Sequence, residues 1–255
     1  MAAIERERRD QVEIIRFNRP EARNAVNFAV SSAVEEALDE IEQDGDVKVV
    51  VFTGNGPTFC AGADLKEVAQ GKGGDIITRR GGFAGVVRRT FPKPLIAAVN
   101  GPALAGGFEV VLACDLTVAS EHATFGIPEA AKGLFAAAGG LIRLPKRIPL
   151  AIATELAITG DPIDAVRAYE LGLVNRVVPA ERVLDEALAL AARIAQNGPL
   201  AVRNSLTMVR EAVDLPEEEA WARSTELALG VFSSKDAIEG ATAFAEKRAP
   251  RWTGS

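Results

Sequence analysis

Residues 47–53 form an apolar run of strand length, VKVVVFT. Such a run suits a strand buried on both faces, as in a sheet that is covered by helices. Residues 11–17 alternate as a strand does, and shorter apolar strands are predicted at 95–99 and 116–119. Residues 28–41 place apolar side chains at helical spacing and predict an amphipathic helix. The alternation of strands and helices predicts an α/β fold.

After residue 140 the chain becomes strongly helical, and from residue 180 onward helical segments reach almost to the end. Gly198 is predicted to stop one helix and Pro199 to open the next, while residues 234–239 offer an N-cap. We therefore divide the chain into a core at 1–195, with the active site, and a helical oligomerisation region at 196–255. A chain of 255 residues can bury a large core in such an arrangement.

Composition excludes several classes of function. A net charge of −6 argues against a nucleic-acid surface. Two cysteines give no disulfide framework, so a reduced cytoplasmic protein is expected. The charged start has no apolar signal segment, and no stretch is long enough to predict a membrane span. A single histidine argues against a Ser-His-Asp triad or a His-rich metal site, and no metal or redox cofactor is expected.

Two carboxylates stand out in the stretch 97–140. Gly106 and Gly107 open a helix-like run, where backbone N–H groups can approach a ligand closely. Glu109 and Glu129 lie in apolar surroundings, where a carboxylate usually has a function or a partner. The alternative is structural: Glu109 would cap a helix start, and Glu129 would follow Pro128 in an exposed turn.

Residues 71–85 contain six glycines with mixed charge. A glycine-rich stretch can hold phosphate, but neither a Walker pattern nor a strand–GxGxxG–helix context is present. A mobile loop or helix edge over a binding site is the preferred interpretation.

Several motifs in order resemble the crotonase, or enoyl-CoA hydratase/isomerase, superfamily over residues 10–250. They are FCAGADLKE (59–67), NGPALAGGFEVVLACDLTVAS (100–120), FGIPEAAKG (125–133), GGLIRLPK (139–146), AYELGLVNRVVP (168–179) and AFAEKRAP (243–250). The resemblance implies a spiral of ββα units with a C-terminal helical trimerisation region, assembled as a homotrimer or a hexamer. The substrate it implies is an acyl-CoA thioester, with coenzyme A as part of the substrate and no separate cofactor.

The resemblance also implies roles for particular residues. The N–H groups of Ala63 and Gly106 would form an oxyanion hole for the thioester carbonyl, although each motif alone also fits a tight turn. Glu109 would position and deprotonate a water, and Glu129 would share that water and exchange a proton with the α-carbon. Two such carboxylates should titrate as a coupled pair, with one pKa raised.

Further residues match the coenzyme A path. Ala25, Ala61, Asp64, Leu65 and Lys66 match segments that line the adenine and pantetheine moieties. Lys247 matches a phosphate contact that a neighbouring subunit would supply, although lysines are usually solvated surface charges.

Departures from the commonest hydratase pattern bear on the substrate. They are Phe108 before the first glutamate, Ala137 in place of a glycine, and Phe135-Ala136 in place of Ile-Pro. GGFE, RLPK and Pro149 resemble the carnitinyl-CoA (crotonobetainyl-CoA) hydratase branch, and Phe108 and Phe135 would reshape the acyl pocket.

Hydration of a trans-2-enoyl-CoA to a 3-hydroxyacyl-CoA is the predicted reaction. Isomerisation or another acyl-CoA reaction on the same site is the alternative, but isomerases often use one catalytic carboxylate and this chain has two. A non-catalytic binding scaffold, including an RNA-binding one, is least favoured, because neither glutamate is lost and the charge is negative.

Overall fold

The computed structural model describes residues 2–255 and contains eleven strands and ten α-helices within them. The strands are β1 (Ile4–Arg9), β2 (Val12–Phe17), β3 (Val49–Gly54), β4 (Ile77–Thr78), β5 (Gly82–Phe83), β6 (Leu95–Val99), β7 (Ala103–Leu104), β8 (Leu116–Ser120), β9 (Thr124–Gly126), β10 (Ile163–Asp164) and β11 (Arg176–Val178). The helices are α1 (Phe28–Gln43), α2 (Leu65–Glu67), α3 (Gly106–Ala113), α4 (Gly140–Arg147), α5 (Leu150–Thr159), α6 (Ala165–Glu170), α7 (Val183–Ala195), α8 (Pro199–Ala212), α9 (Glu217–Phe232) and α10 (Lys235–Glu246).

A six-stranded sheet forms the centre of the molecule, in the order β1-β2-β3-β6-β8-β11. β1 is antiparallel to β2, and all other neighbours are parallel. The four strands predicted from apolar runs are β2, β3, β6 and β8, which lie side by side, so the α/β prediction is confirmed. Strand β3 is buried on both faces, as its composition predicts.

A smaller sheet of β10, β9 and β7 lies beside the first. Single-residue bridges continue it, pairing Cys60 with Ala103 and Val26 with Ala63. Each turn of the chain therefore places one strand in the large sheet, a short strand or bridge in the small one, and then a helix. β6-β7-α3 and β8-β9-α4 are two such turns, and this is the expected spiral of ββα units.

Two apolar cores hold the layers together. The larger one packs α1 and α3 against one face of the six-stranded sheet and includes Phe17, whose ring packs on those of Phe52 and Phe59. The other face is covered by α7, which places Val183, Ala187 and Ala191 against the sheet. A helix with three buried positions at this spacing presents one apolar stripe, as the sequence predicts.

The C-terminal helices form the expected helical layer. No residue of α8 or α9 is fully buried, and the two helices pack mainly on each other. Arg210 on α8 ties this layer to the core, because it donates two hydrogen bonds of 2.8 Å to the Asp115 carboxylate and one to the Phe91 carbonyl. The division at residue 195 stays a prediction.

Local signals at the ends of these helices are partly confirmed. Pro199 is the first residue of α8, and the Ser234 hydroxyl caps α10 by accepting from the Ala237 N–H at 3.0 Å. The Gly198 prediction is wrong: α7 already ends at Ala195, and Gly198, with φ −58°, is the N-cap residue of α8. None of the helices in residues 2–255 is long and apolar enough to cross a membrane.

Candidate active site

The backbone around Ala63 leaves one amide free. Val26 donates from its N–H to the Gly62 carbonyl at 2.7 Å and accepts from the Asp64 N–H at 2.8 Å. In this parallel bridge the groups of Ala63 itself face away from Val26. Among the described residues no acceptor binds the Ala63 N–H, so it is available to a ligand.

Gly106 supplies a second free amide at the start of α3. As the first residue of the helix it has no partner within the helix, and no other described acceptor takes its N–H. Ala105, just before it, has φ +52° and ψ −131°, a conformation that is strained for a residue with a Cβ. Strain of this kind often lies at functional sites, where the surrounding structure enforces it.

Close packing brings the two amides onto neighbouring backbone segments. A Cβ on Gly62 would lie 3.1 Å from the Gly106 nitrogen, and a Cβ on Gly107 would lie 2.1 Å from the Cys60 carbonyl oxygen. Only glycine permits these approaches. The pair of amides has the character of an oxyanion hole, since both are fixed donors without a protein partner.

Glu109 lies one turn into α3 and is 3% exposed. Its Oε1 accepts a hydrogen bond of 2.8 Å from the N–H of Gly140, the first residue of α4. Glu109 therefore caps α4 rather than its own helix. Burial raises the pKa of Glu109, and the N–H groups of Gly140 and Ala138 and the charge of Arg143 oppose that rise.

Glu129 follows β9 and is half-buried rather than exposed. Its Oε2 is buried, and no hydrogen-bond partner for it exists in the described residues. Burial, together with the negative charge of Glu109, raises the pKa of Glu129 to about 7. The two carboxylates thus influence each other electrostatically, and one of them holds a proton near neutral pH. A carboxyl group that titrates there can act as a general acid or base.

The residues matched to the coenzyme A path gather in one region, with one exception. The Ala61 N–H donates to the Arg23 carbonyl at 3.1 Å, and the Ala25 carbonyl accepts from Arg19 at 2.6 Å. Leu65 and Lys66 are exposed at the start of α2. Lys247 is the exception: it ends α10, is exposed, and forms no hydrogen bond or ion pair with these loops in the part of the chain described.

Asp64 has a structural role in this region. Its carboxylate caps α2 by accepting from the Lys66 N–H at 3.1 Å and pairs with Arg19 at 2.9 Å. Burial would raise the pKa of Asp64, but Arg19 and the Lys66 N–H outweigh it and the pKa lies below its usual range. The carboxylate fixes the loop that presents Ala63.

The glycine-rich segment lies beside the site. Residues 77–83 form the β4–β5 hairpin, and Glu35 on α1 accepts hydrogen bonds from the Thr78 hydroxyl and the Gly81 N–H. The Phe83 ring packs on Gly106, where a Cβ would come within 2.5 Å of it. The segment forms one wall of the site, and its hydrogen bonds to Glu35 on α1 hold it in place.

Sequence reasoning missed Phe83, Gly140 and Arg143. Gly140 and Arg143 could have been found from the motif GGLIRLPK, which contains both. The Gly140 N–H binds the Glu109 carboxylate, and the charge of Arg143 opposes the rise in the pKa of Glu109. Phe108 is fully buried and its ring contacts Phe125 in the core, whereas Phe135 is 75% exposed. No group of three or more side chains suited to a metal ion occurs in residues 2–255.

Comparisons with known proteins agree with this geometry. The family model described as enoyl-CoA hydratase/isomerase matches residues 7–255. An enoyl-CoA hydratase from Mycobacterium tuberculosis is 44% identical over 253 residues, which cover 96% of this chain and 94% of that protein. A carnitinyl-CoA dehydratase from Proteus mirabilis is 41% identical over 249 residues, covering 95% of each chain.

Solved structures give the same result. A crystal structure of an enoyl-CoA hydratase from Mycobacterium tuberculosis is 48% identical with a TM-score of 0.95, over all of both chains. A carnitinyl-CoA hydratase from Mycobacterium avium is 44% identical with a TM-score of 0.78, again over all of both chains. The chain belongs to the enoyl-CoA hydratase/isomerase family and has the crotonase fold.

Proposed function

We propose that this protein is an enoyl-CoA hydratase, a hydro-lyase that adds water across the 2,3 double bond of a trans-2-enoyl-CoA to give a 3-hydroxyacyl-CoA. The observation that carries the proposal is the pair of carboxylates Glu109, which is buried, and Glu129, which is half-buried. The charge of Glu109 acts on Glu129, whose pKa is raised to about 7. Hydration needs one group that takes a proton from water and one that gives a proton to carbon.

The N–H groups of Ala63 and Gly106 would bind the thioester carbonyl oxygen. When water attacks C3, negative charge moves through C2 onto that oxygen, and two fixed donors stabilise it without reorganisation. Removing one donor of this kind typically costs about 3–4 kcal/mol of transition-state stabilisation. Gly62 and Gly107 support this role, because they allow the two donor segments to lie together.

Glu109 would hold the water and take its proton. Gly140 fixes one oxygen of its carboxylate, which leaves the other for the water. The hydroxide equivalent adds to C3, and the C2–C3 π electrons move toward the carbonyl. Glu129, protonated near neutral pH, would then deliver a proton to C2, so one hydrogen and one hydroxyl are added and the carboxylates exchange the remaining proton through the product or solvent.

A second candidate is hydration of crotonobetainyl-CoA. Relatives about as similar as the hydratases are named carnitinyl-CoA dehydratase, at 41–42% identity. The same carboxylates and oxyanion hole would serve this reaction, which differs only in the acyl group. Double-bond isomerisation and a non-catalytic scaffold are less favoured, because both carboxylates are present and the charge of Glu109 acts on Glu129.

The substrate's nucleotide and pantetheine would pass along Ala25, Ala61, Asp64, Leu65 and Lys66, with Lys247 of a neighbouring subunit at a phosphate. Coenzyme A would be part of the substrate, and no separate cofactor is proposed. We place the protein in the cytoplasm as a homotrimer or a dimer of trimers. Large apolar side chains exposed on the C-terminal helices support assembly: Val209, Val213, Trp221, Leu229, Phe232, Ile238 and Phe244.

The test is a panel of trans-2-enoyl-CoAs, including crotonobetainyl-CoA, followed by loss of the enoyl-thioester absorbance and by product analysis. Hydration predicts that the absorbance falls and a 3-hydroxyl appears. A product with a moved double bond would identify an isomerase. Folded protein that binds coenzyme A but leaves every substrate unchanged would contradict the proposal.

A further inference from the structure

Arg143 is a half-buried cation on α4 that has no carboxylate partner within residues 2–255. Its guanidinium donates instead to two carbonyl groups, those of Val87 at 2.5 Å and Ala138 at 3.4 Å. A charged group taken out of water usually has an opposite charge beside it. The nearest acidic influence on this one is Glu109, since each shifts the pKa of the other.

The Val87 and Ala138 carbonyl groups belong to two different segments around the site. Val87 follows β5, whose Phe83 packs on Gly106 in the oxyanion hole. Ala138 begins the turn that leads to Gly140, the donor to Glu109. One guanidinium therefore links the wall behind the oxyanion hole to the turn that orients the first carboxylate.

The backbone of that turn is shaped around Arg143. Gly139 has φ +103°, and a Cβ on it would lie 2.1 Å from the Arg143 Nη1. The close approach puts the cation directly under the turn. Arg143 and Gly140 lie on one short helix, so α4 supplies Glu109 with both an amide donor and a positive charge.

We propose that Arg143 is a positioning residue for hydration: it fixes the 138–140 turn against the Val87 segment and places a positive charge on the helix whose first amide binds Glu109. The inference rests on the proposed function but concerns a residue that touches neither the substrate nor the water. Its effect is to keep Glu109 oriented and ionised while Glu129 carries the proton.

Other ionisable groups also act on Glu129 and Arg143. Lys132 opposes the raised pKa of Glu129, and Arg147 on α4 repels Arg143. The Cys114 thiol, at the end of α3, has a raised pKa because of burial and stays neutral. Arg143 is thus the cation whose charge acts on Glu109.

The experiment compares Arg143→Met and Arg143→Lys with Lys146→Met, a matched control on the same helix whose side chain is exposed and pairs with Asp214. The acid limb of the kcat/KM pH profile reports the ionisation of Glu109. Arg143→Met should move that limb upward, as loss of an opposite charge does. It should lower kcat by about 10²-fold, the effect of a small misplacement, with little change in KM.

Arg143→Lys separates charge from geometry. It should keep the acid limb near its wild-type position but lower kcat, because an ammonium cannot bridge the Val87 and Ala138 carbonyls as a planar fork does. Lys146→Met should leave both unchanged. The inference would be overturned if Arg143→Lys kept the wild-type kcat. It would also be overturned if folded Arg143→Met had the same acid limb in its kcat/KM pH profile as the wild type.

A readout without turnover separates this inference from the proposed function. NMR titration of labelled glutamate carboxyl groups, in a Glu129→Gln background with Glu109 assigned by its loss in Glu109→Gln, gives the pKa of Glu109 directly. That pKa should rise when Arg143 becomes methionine, even if the wild-type protein hydrates no tested substrate. An unchanged pKa would refute the electrostatic part whatever the reaction is.

Discussion

Replacing Glu129 with glutamine should stabilise the protein above neutral pH while it removes activity. Folding raises the pKa of this carboxyl from 4.5 to about 7. The folded state therefore prefers the neutral form, and the wild type loses stability as the pH rises from about 4.5 to 7. A neutral glutamine avoids that loss.

The magnitude follows from the pKa values. One pKa unit corresponds to about 1.4 kcal/mol, so the whole shift would give about 3 kcal/mol at pH 8. The side chain is only half-buried, and solvent screening reduces this to about 1–2 kcal/mol. At pH 4 and below the carboxyl is mostly protonated in both the folded and the unfolded state, so the two proteins should be nearly equally stable. Activity should fall by about 10²–10⁴-fold at all pH values.

The assay is urea denaturation of both proteins at pH 4 and pH 8. Glu21→Gln is the matched control, because Glu21 is exposed and forms no hydrogen bond or ion pair among the described residues. A gain in the free energy of unfolding at pH 8 that nearly disappears at pH 4 supports the reasoning. An equal change in the free energy of unfolding at both pH values, or a lower free energy of unfolding at pH 8, would refute it.

Two further substitutions test the geometry around the site. Gly62→Ala puts a Cβ within 2.7 Å of the Ala105 Cβ, at a residue with φ +95°. The two donor segments should separate, and we expect kcat for hydration to fall by about 10²-fold or more. Wild-type kcat would contradict this. Arg210→Met removes the two hydrogen bonds to Asp115 and should lower the free energy of unfolding in urea by about 1–3 kcal/mol. Lys146→Met breaks an exposed pair and should change it by about 1 kcal/mol or less, so equal losses would count against a special role for Arg210.

The order of strands and helices was predictable because local patterns encode it. β3, β6 and β8 are apolar runs, and α1 and α7 carry single apolar stripes. β1 was not predicted, since its sequence IERERR has one buried residue, Ile4. It is held by pairing with β2 and by long-range ion pairs such as that of Arg6 with Glu40, which no local pattern reveals.

The site was predictable only in part. Glu109 and Glu129 were recognisable as carboxylates in apolar surroundings, and the resemblance supplied their expected roles. The residues that hold these carboxylates in place were not recognisable, because the contacting residues are far apart in the sequence. Gly140 and Glu109 are 31 residues apart, and Arg143 and Val87 are 56 residues apart. Such contacts depend on how the spiral stacks its turns, and spacing along the chain does not determine that.

The most direct measurement of the central claim is a double-mutant cycle on hydration of a trans-2-enoyl-CoA with wild type, Glu109→Gln, Glu129→Gln and the double variant. Groups that act as a unit are strongly non-additive, so removing both should cost little more than removing either one. We predict that each single variant loses about 10²–10⁴-fold in kcat and that the double variant is close to the weaker single one. Independent multiplicative losses, or a single variant with wild-type turnover, would contradict the account.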